Sequence, residues 1–206
     1  MFERSRWTVN AAMMALVLAA SSALAQQPQT VRVRGTVESV DGQVLSVKAR
    51  DGATLNIKIA DNVTVRGIVK ASLADIKTGS FIGVTGMPQP DGSQKAVEVH
   101  VFPEPMRGTG EGHRPWDLQP NSTMTNANVE VAVTGVNGQE LTLKYKDGEK
   151  KIIVPPDTPV VTYVPGDKSE LKPGAKIFIA AATKKDDGTL EAAQISVGRD
   201  GLTPPM

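Results

Sequence analysis

The chain has 206 residues, with 23 Lys and Arg against 22 Asp and Glu, two histidines and no cysteine. Without thiols there is no disulfide framework, no thiolate nucleophile and no Cys-ligated metal. Setting aside the two arginines and one glutamate of residues 1–25 leaves 21 charges of each sign, so the chain lacks the basic stripe of a nucleic-acid binder and the polybasic signal of a membrane-surface protein.

In chain order, the first 25 residues read as a secretory leader. Arg4 and Arg6 form a charged start, Val9 to Ala20 an apolar stretch, and Ala23-Leu24-Ala25 the small-residue cleavage site. The expectation is cleavage before Gln26 and a periplasmic or secreted protein of a Gram-negative bacterium. No later segment approaches the roughly 20 apolar residues of a membrane helix, so no membrane span is expected.

The rest of the chain repeats itself at a spacing of 96 residues. Asp41-Gly42-Gln43-Val44-Leu45 returns as Asn137-Gly138-Gln139-Glu140-Leu141, Lys48 as Lys144, Asp51-Gly52 as Asp147-Gly148, and Ile57 as Ile153. Over Val33 to Val65, 12 of 33 positions are identical, far above chance. Further on, Asp75-Ile76-Lys77-Thr78-Gly79 matches Glu170-Leu171-Lys172-Pro173-Gly174 after a one-residue shift.

Each copy reads as strands. Val31, Val33, Val37 and Val40 are separated mostly by polar residues, as are Val129, Val131 and Val133, the period-2 pattern of a half-buried strand. Asp-Gly and Asn-Gly pairs between the runs suit hairpin turns. Strands are predicted near 31–40, 43–50, 53–60, 63–69, 80–87 and 95–102, and again near 128–136, 140–146, 149–154, 159–163, 176–182 and 190–197. Ala71 to Thr78 and Asp167 to Pro173 each fit a short helical turn, capped in the first copy by Ser72. Pro155, Pro156 and Pro159 interrupt in the second copy a strand that is continuous in the first, so its fourth strand is expected to be short or an edge strand. The predicted fold is all-β: two tandem small OB-like β-barrels over 26–102 and 128–200, with a tail at 201–206. Small β-sandwiches are the alternative.

Residues 103–127 join the copies. This segment is rich in Pro and Gly, yet it holds Trp116, the one tryptophan beyond residue 25. A plain spacer carries few aromatics, so Trp116 is expected to pin the segment into an apolar groove.

The order Gly35-Thr36-Val37-Glu38-Ser39-Val40, Leu73-Ala74-Asp75-Ile76-Lys77-Thr78-Gly79 and Val84-Thr85-Gly86 resembles a widespread bacterial family of secreted small β-barrel domains of unknown function, often found in tandem. The likeness covers most of each copy. Its motifs are turn and core residues, so it implies a fold and supplies no catalytic residue.

Chemistry-bearing residues are few. No Gly-x-Ser-x-Gly elbow, phosphate loop or triad context is present, and no enzymatic activity is expected. The candidate ligand-binding residues are Arg107, His113, Arg114 and Trp116, with the arginines suited to anionic groups. His100, Met106, His113 and Met124 could together hold a soft ion such as Cu(I) or Ag(I), or Zn(II) or Cu(II) with carboxylates. The leading expectation is therefore a non-catalytic exported binding protein for a small ligand or a periplasmic protein partner. The alternatives are a metal carrier and a structural adaptor; no nucleic-acid partner is expected.

Overall fold

The computed structural model describes residues 29–135 and 138–206. The expected leader at residues 1–25 and Asn137 of the expected Asn137-Gly138 turn lie outside them. Twelve strands make up the described chain: β1 (Thr30–Asp41), β2 (Val44–Ala49), β3 (Thr54–Lys70), β4 (Phe81–Pro88), β5 (Gln94–Val101), β6 (Gly112–Pro115), β7 (Thr123–Gly135), β8 (Gly138–Tyr145), β9 (Gly148–Val154), β10 (Val160–Pro165), β11 (Lys176–Lys184) and β12 (Leu190–Gly198). Among the described residues the only helical turns are 3-10 turns at Leu73–Asp75, Glu104–Met106 and Lys168–Glu170. None is long and apolar enough to cross a membrane.

Alternation sets the inner faces. Val33 and Val37 of β1, Leu45 and Val47 of β2, and Ile57 and Ile59 of β3 are all buried, each side chain contributing roughly 1.5–3 kcal/mol by leaving water. β1, β2 and β3 form an antiparallel meander. The ring then closes through the other end of the chain. β12 lies parallel to β3 from Leu190 opposite Ile57 to Gly198 opposite Ile68, β11 pairs with β12, and β1 pairs with β11. The result is a closed five-stranded barrel filled by one apolar cluster.

The same circuit recurs in the second half. β7, β8 and β9 form the meander, and β4 and β5 return to complete it. β4 pairs with β7 and β5, while β5 meets β9 through Gln94 opposite Ile152 and Lys95 opposite Ile153. Ile82, Val84, Val99, Ala127, Leu141 and Ile152 fill its interior.

The copies at 26–102 and 128–200 are thus sequence units that the pairings divide. β4 and β5 of the first complete the circuit of the second, and β11 and β12 do the reverse. The cause lies in β3. Separate strands at 53–60 and 63–69 were expected, but the backbone runs through Asp61 and Asn62 as one 17-residue strand and carries the chain out of its own ring. β10, antiparallel to β3 and parallel to β5, stitches the two halves together. Val65 faces Ile195 as Val160 faces Val99, and the central pair is Ile68 with Tyr163. These equivalences define a pseudo-two-fold relation centred on that pair. In the second copy the prolines at 155, 156 and 159 separate β9 from β10, because Pro brings no ladder N–H; β10 is short, as expected, but it lies between β3 and β5 and not at an edge.

The repeat register is corrected in the β2–β3 hairpin. Leu45 faces Ile57, whereas its counterpart Leu141 faces Ile152. The second hairpin is one residue shorter, so the equivalent of Ile57 is Ile152, and Ile153 points outward at 37 % exposure.

The segment between the copies is shorter than the expected 103–127. β6 pairs with β7, and β7 begins at Thr123, pairing with β4 from Gly86 onward. The 201–206 tail is docked, with Met206 buried against Ile68, Val161 and Phe178.

Candidate functional site

The outer surfaces of the two circuits join into one face. In register across the sheet, Asn126 on β7 neighbours Gly83 on β4, which neighbours His100 on β5, which neighbours Val161 on β10. Beyond Tyr163 and Ile68 the face continues through Arg66 on β3, Ser196 on β12 and Phe178 on β11 to Arg34 on β1. Two segments cover it. Residues 102–122 follow β5 and residues 199–206 follow β12, at equivalent points of the two copies.

Trp116 fastens the first cover. Its ring packs on the cluster of Ile68, Val161, Phe178 and Met206. The Arg32 guanidinium lies 3.9 Å from its centroid, with Arg114 at 5.5 Å, positions that favour cation–π attraction. Asp117 draws Arg34 to 2.8 Å and Arg32 to 3.6 Å. Burial opposes ionisation of Asp117, but the bond from Arg34 and the charges of Arg34 and Arg32 hold its carboxyl below the usual aspartate value. Arg34 also donates from Nε to Met206 O at 2.7 Å, tying the two covers together. The expected docking of Trp116 is what the structure places there.

Beneath the covers lies a polar stripe of which the sequence reading named only His100. Glu98 is 1 % exposed and His100 3 %. Thr85 Oγ1 donates to Glu98 Oε1 at 2.6 Å, and His100 Nδ1 lies 3.3 Å from Glu98 Oε2. The imidazole stands edge-on to Phe102 and Tyr163, with centroids 4.8 and 5.9 Å away. Burial, and then the Glu98 carboxylate, push the Tyr163 phenol far above its usual value, so it stays neutral.

Between covers and face is a cavity of about 220 Å³, whose lining includes the exposed residues Thr109, Gly110 and Gln194. His100, Met106, Arg114, Trp116 and Met124 all line it. Five of the seven candidate residues are therefore gathered in one place. Arg107 is elsewhere: it holds Glu104 at 2.6 and 2.7 Å, Asn128 at 2.6 Å and Gly79 O at 3.0 Å, which commits its donors to fixing the segment. His113 is also elsewhere. β6 turns it to the Thr125 side, where Nδ1 lies 2.8 Å from Thr125 Oγ1 and the ring stacks near Tyr145, while Arg114 beside it points with Met124 to the cavity side. The expected metal set of His100, Met106, His113 and Met124 is thus divided by strand alternation. Among the described residues no group of three His, Asp or Glu side chains is placed to hold a metal ion.

Two buried polar atoms of cavity residues have no partner: Trp116 Nε1 and Asn126 Oδ1. Unsatisfied groups of this kind are rare in native interiors. Sequence reasoning missed Asn126, Tyr163, Arg66 and Met206, which reach the cavity only because strands from both copies are interleaved. Compared with family models, with curated proteins and with solved structures, the chain matches none of them.

Proposed function

We propose that this is an exported, non-catalytic binding protein built from two strand-exchanged OB-like barrels, and that the cavity over their shared face is its ligand site. The order β1-β2-β3-β12-β11 with a parallel closure is that of a five-stranded Greek-key barrel, in keeping with the secreted family that the turn and core motifs resemble. The observation that carries the reading is the cavity itself: it is walled by aromatics and lined by Trp116 and Asn126, whose unpaired donor and acceptor a ligand would satisfy. A 3-10 turn, a short strand and the tail are all spent on roofing it.

A second reading is favoured by one composition fact. Beyond residue 25 the methionines are Met87, Met106, Met124 and Met206, and three of the four line the cavity with His100. Thioether and imidazole together suit Cu(I) or Ag(I). With Glu98 on Nδ1, the His100 Nε2 lone pair would be the one presented.

Native mass spectrometry of the protein from a gentle periplasmic extract, repeated with added Cu(I), tests both. An adduct that disappears in Ser196→Phe, which fills the cavity from β12, supports a site here. An adduct that persists in a folded Ser196→Phe protein places binding elsewhere and removes the reading.

A further inference from the structure

The cavity carries two cations and no paired anion. Arg66 and Arg114 both line it, and neither forms an ion pair among the described residues. Arg114 Nη1 donates to Gly110 O at 2.7 Å, and Arg66 Nη1 to Gln194 Oε1 at 3.3 Å, so both guanidiniums are held in place by neutral groups. The nearby carboxylates are engaged already, Glu98 by Thr85 and His100, and Asp117 by Arg34 and Arg32. Burial and the neighbouring Arg32 charge both disfavour the charged form of Arg114. A half-buried cation without a counter-charge is costly unless something supplies one.

The remaining walls define what else that something carries. Phe102, Tyr163 and Phe178 line it with aromatic walls, and Met106 and Met124 offer adaptable apolar contact. Asn126 spends its Nδ2 on Thr109 O at 2.9 Å, leaving Oδ1 as a buried free acceptor. Trp116 Nε1 is a buried free donor. A cavity of about 150 Å³ admits benzene, so one of about 220 Å³ has room for a single ring with a small polar head.

We infer that the ligand is a small single-ring aromatic acid: its carboxylate meets Arg114, Arg66 and the indole N–H, its ring lies among the aromatic walls, and a hydroxyl or amino group donates to Asn126. The inference rests on the cavity being a ligand site and adds the ligand's charge and size. It also ranks a metal cation below an anion, because two unpaired guanidiniums repel the former.

Titration calorimetry with 4-hydroxybenzoate, its neutral isostere 4-hydroxybenzamide, and Cu(I) tests it. The carboxylate is expected to bind about tenfold or more tighter than the amide, as a charge-assisted hydrogen bond implies. Arg114→Met, and separately Arg66→Met, are expected to erase that ratio while leaving amide binding in place. Equal binding of acid and amide, a ratio unchanged in both variants, or binding of Cu(I) alone overturns the inference while leaving a ligand site standing. Binding of none of the three probes by the folded protein overturns the site as well.

Discussion

Gly83 sits between His100 and Asn126 in a cross-strand row of three. A Cβ there would run into His100 Nε2 and come 2.7 Å from Asn126 Oδ1. Glycine is therefore required by the close approach of two ring-bearing or amide side chains, with no demand on the backbone angle. Gly83→Ala is expected to destabilise the protein by about 1–3 kcal/mol, the usual cost of overpacking, and to disturb the cavity wall; urea denaturation and the calorimetric assay read the two effects. His113 gives a pH prediction. Its pKa is lowered by burial, then by the Lys150 and Arg114 charges, so the folded state prefers the neutral ring. A lowered folded pKa means the stabilisation is complete above the unfolded value of about 6.5 and declines as pH falls from there through the folded value. The denaturation midpoint is expected to drop between pH 7 and pH 5, and His113→Gln to flatten that slope. An identical slope in the variant would assign the drop to other groups.

At the scale of elements, one missing residue in a hairpin decides which isoleucine is core. Lys48 pairs with Thr54 around the first turn, while Lys144 pairs with Glu149 around the second. From there to the 3-10 turns at Leu73–Asp75 and Lys168–Glu170 the copies are offset by 95 residues, and the offset is back at 96 by Val99 and Ile195. Because side chains alternate, a one-residue slip exchanges inside for outside. Ile152→Ala is therefore expected to cost about 2–5 kcal/mol through the cavity it leaves, and Ile153→Ala at most about 1 kcal/mol. Reversed magnitudes in chemical denaturation would restore the pairing of Ile57 with Ile153. The strands themselves were legible from alternation and Asp-Gly turns. The continuity of β3 was not, since Asp61-Asn62 is as good a turn sequence as those that do turn.

For the whole molecule, the exchange of β4-β5 against β11-β12 makes neither copy complete alone. A chain cut at the exposed Gly108–Gly110 turn, between β5 and β6, would leave two fragments that each hold part of both circuits. The fragments are expected to co-elute in native size-exclusion chromatography and to unfold in one transition, as a single cooperative unit does. Two separately folded half-size species would show that each copy closes on itself. The arrangement also explains where the site falls. Exchange lines up the outer surfaces of the two circuits, and the segments that follow β5 and β12 then converge on the same face from opposite copies.

Composition, alternation and the internal repeat are local properties, and they determined the all-β class, most strand positions apart from β6 and the unbroken β3, and the short turns at Leu73–Asp75 and Lys168–Glu170. They also singled out His100, Met106, Arg114, Trp116 and Met124, because rare residue types stand out against a Val- and Lys-rich background. Which strand pairs with which lay beyond them. A hairpin of given sequence satisfies its ladder equally well in its own ring or in its neighbour's, and only the straight passage of β3 and the closure of both circuits choose between the two. That choice brought Arg66, Tyr163, Phe178 and Ser196 opposite His100 and Asn126 and made the face that the covers enclose, while the β6–β7 register turned His113 away.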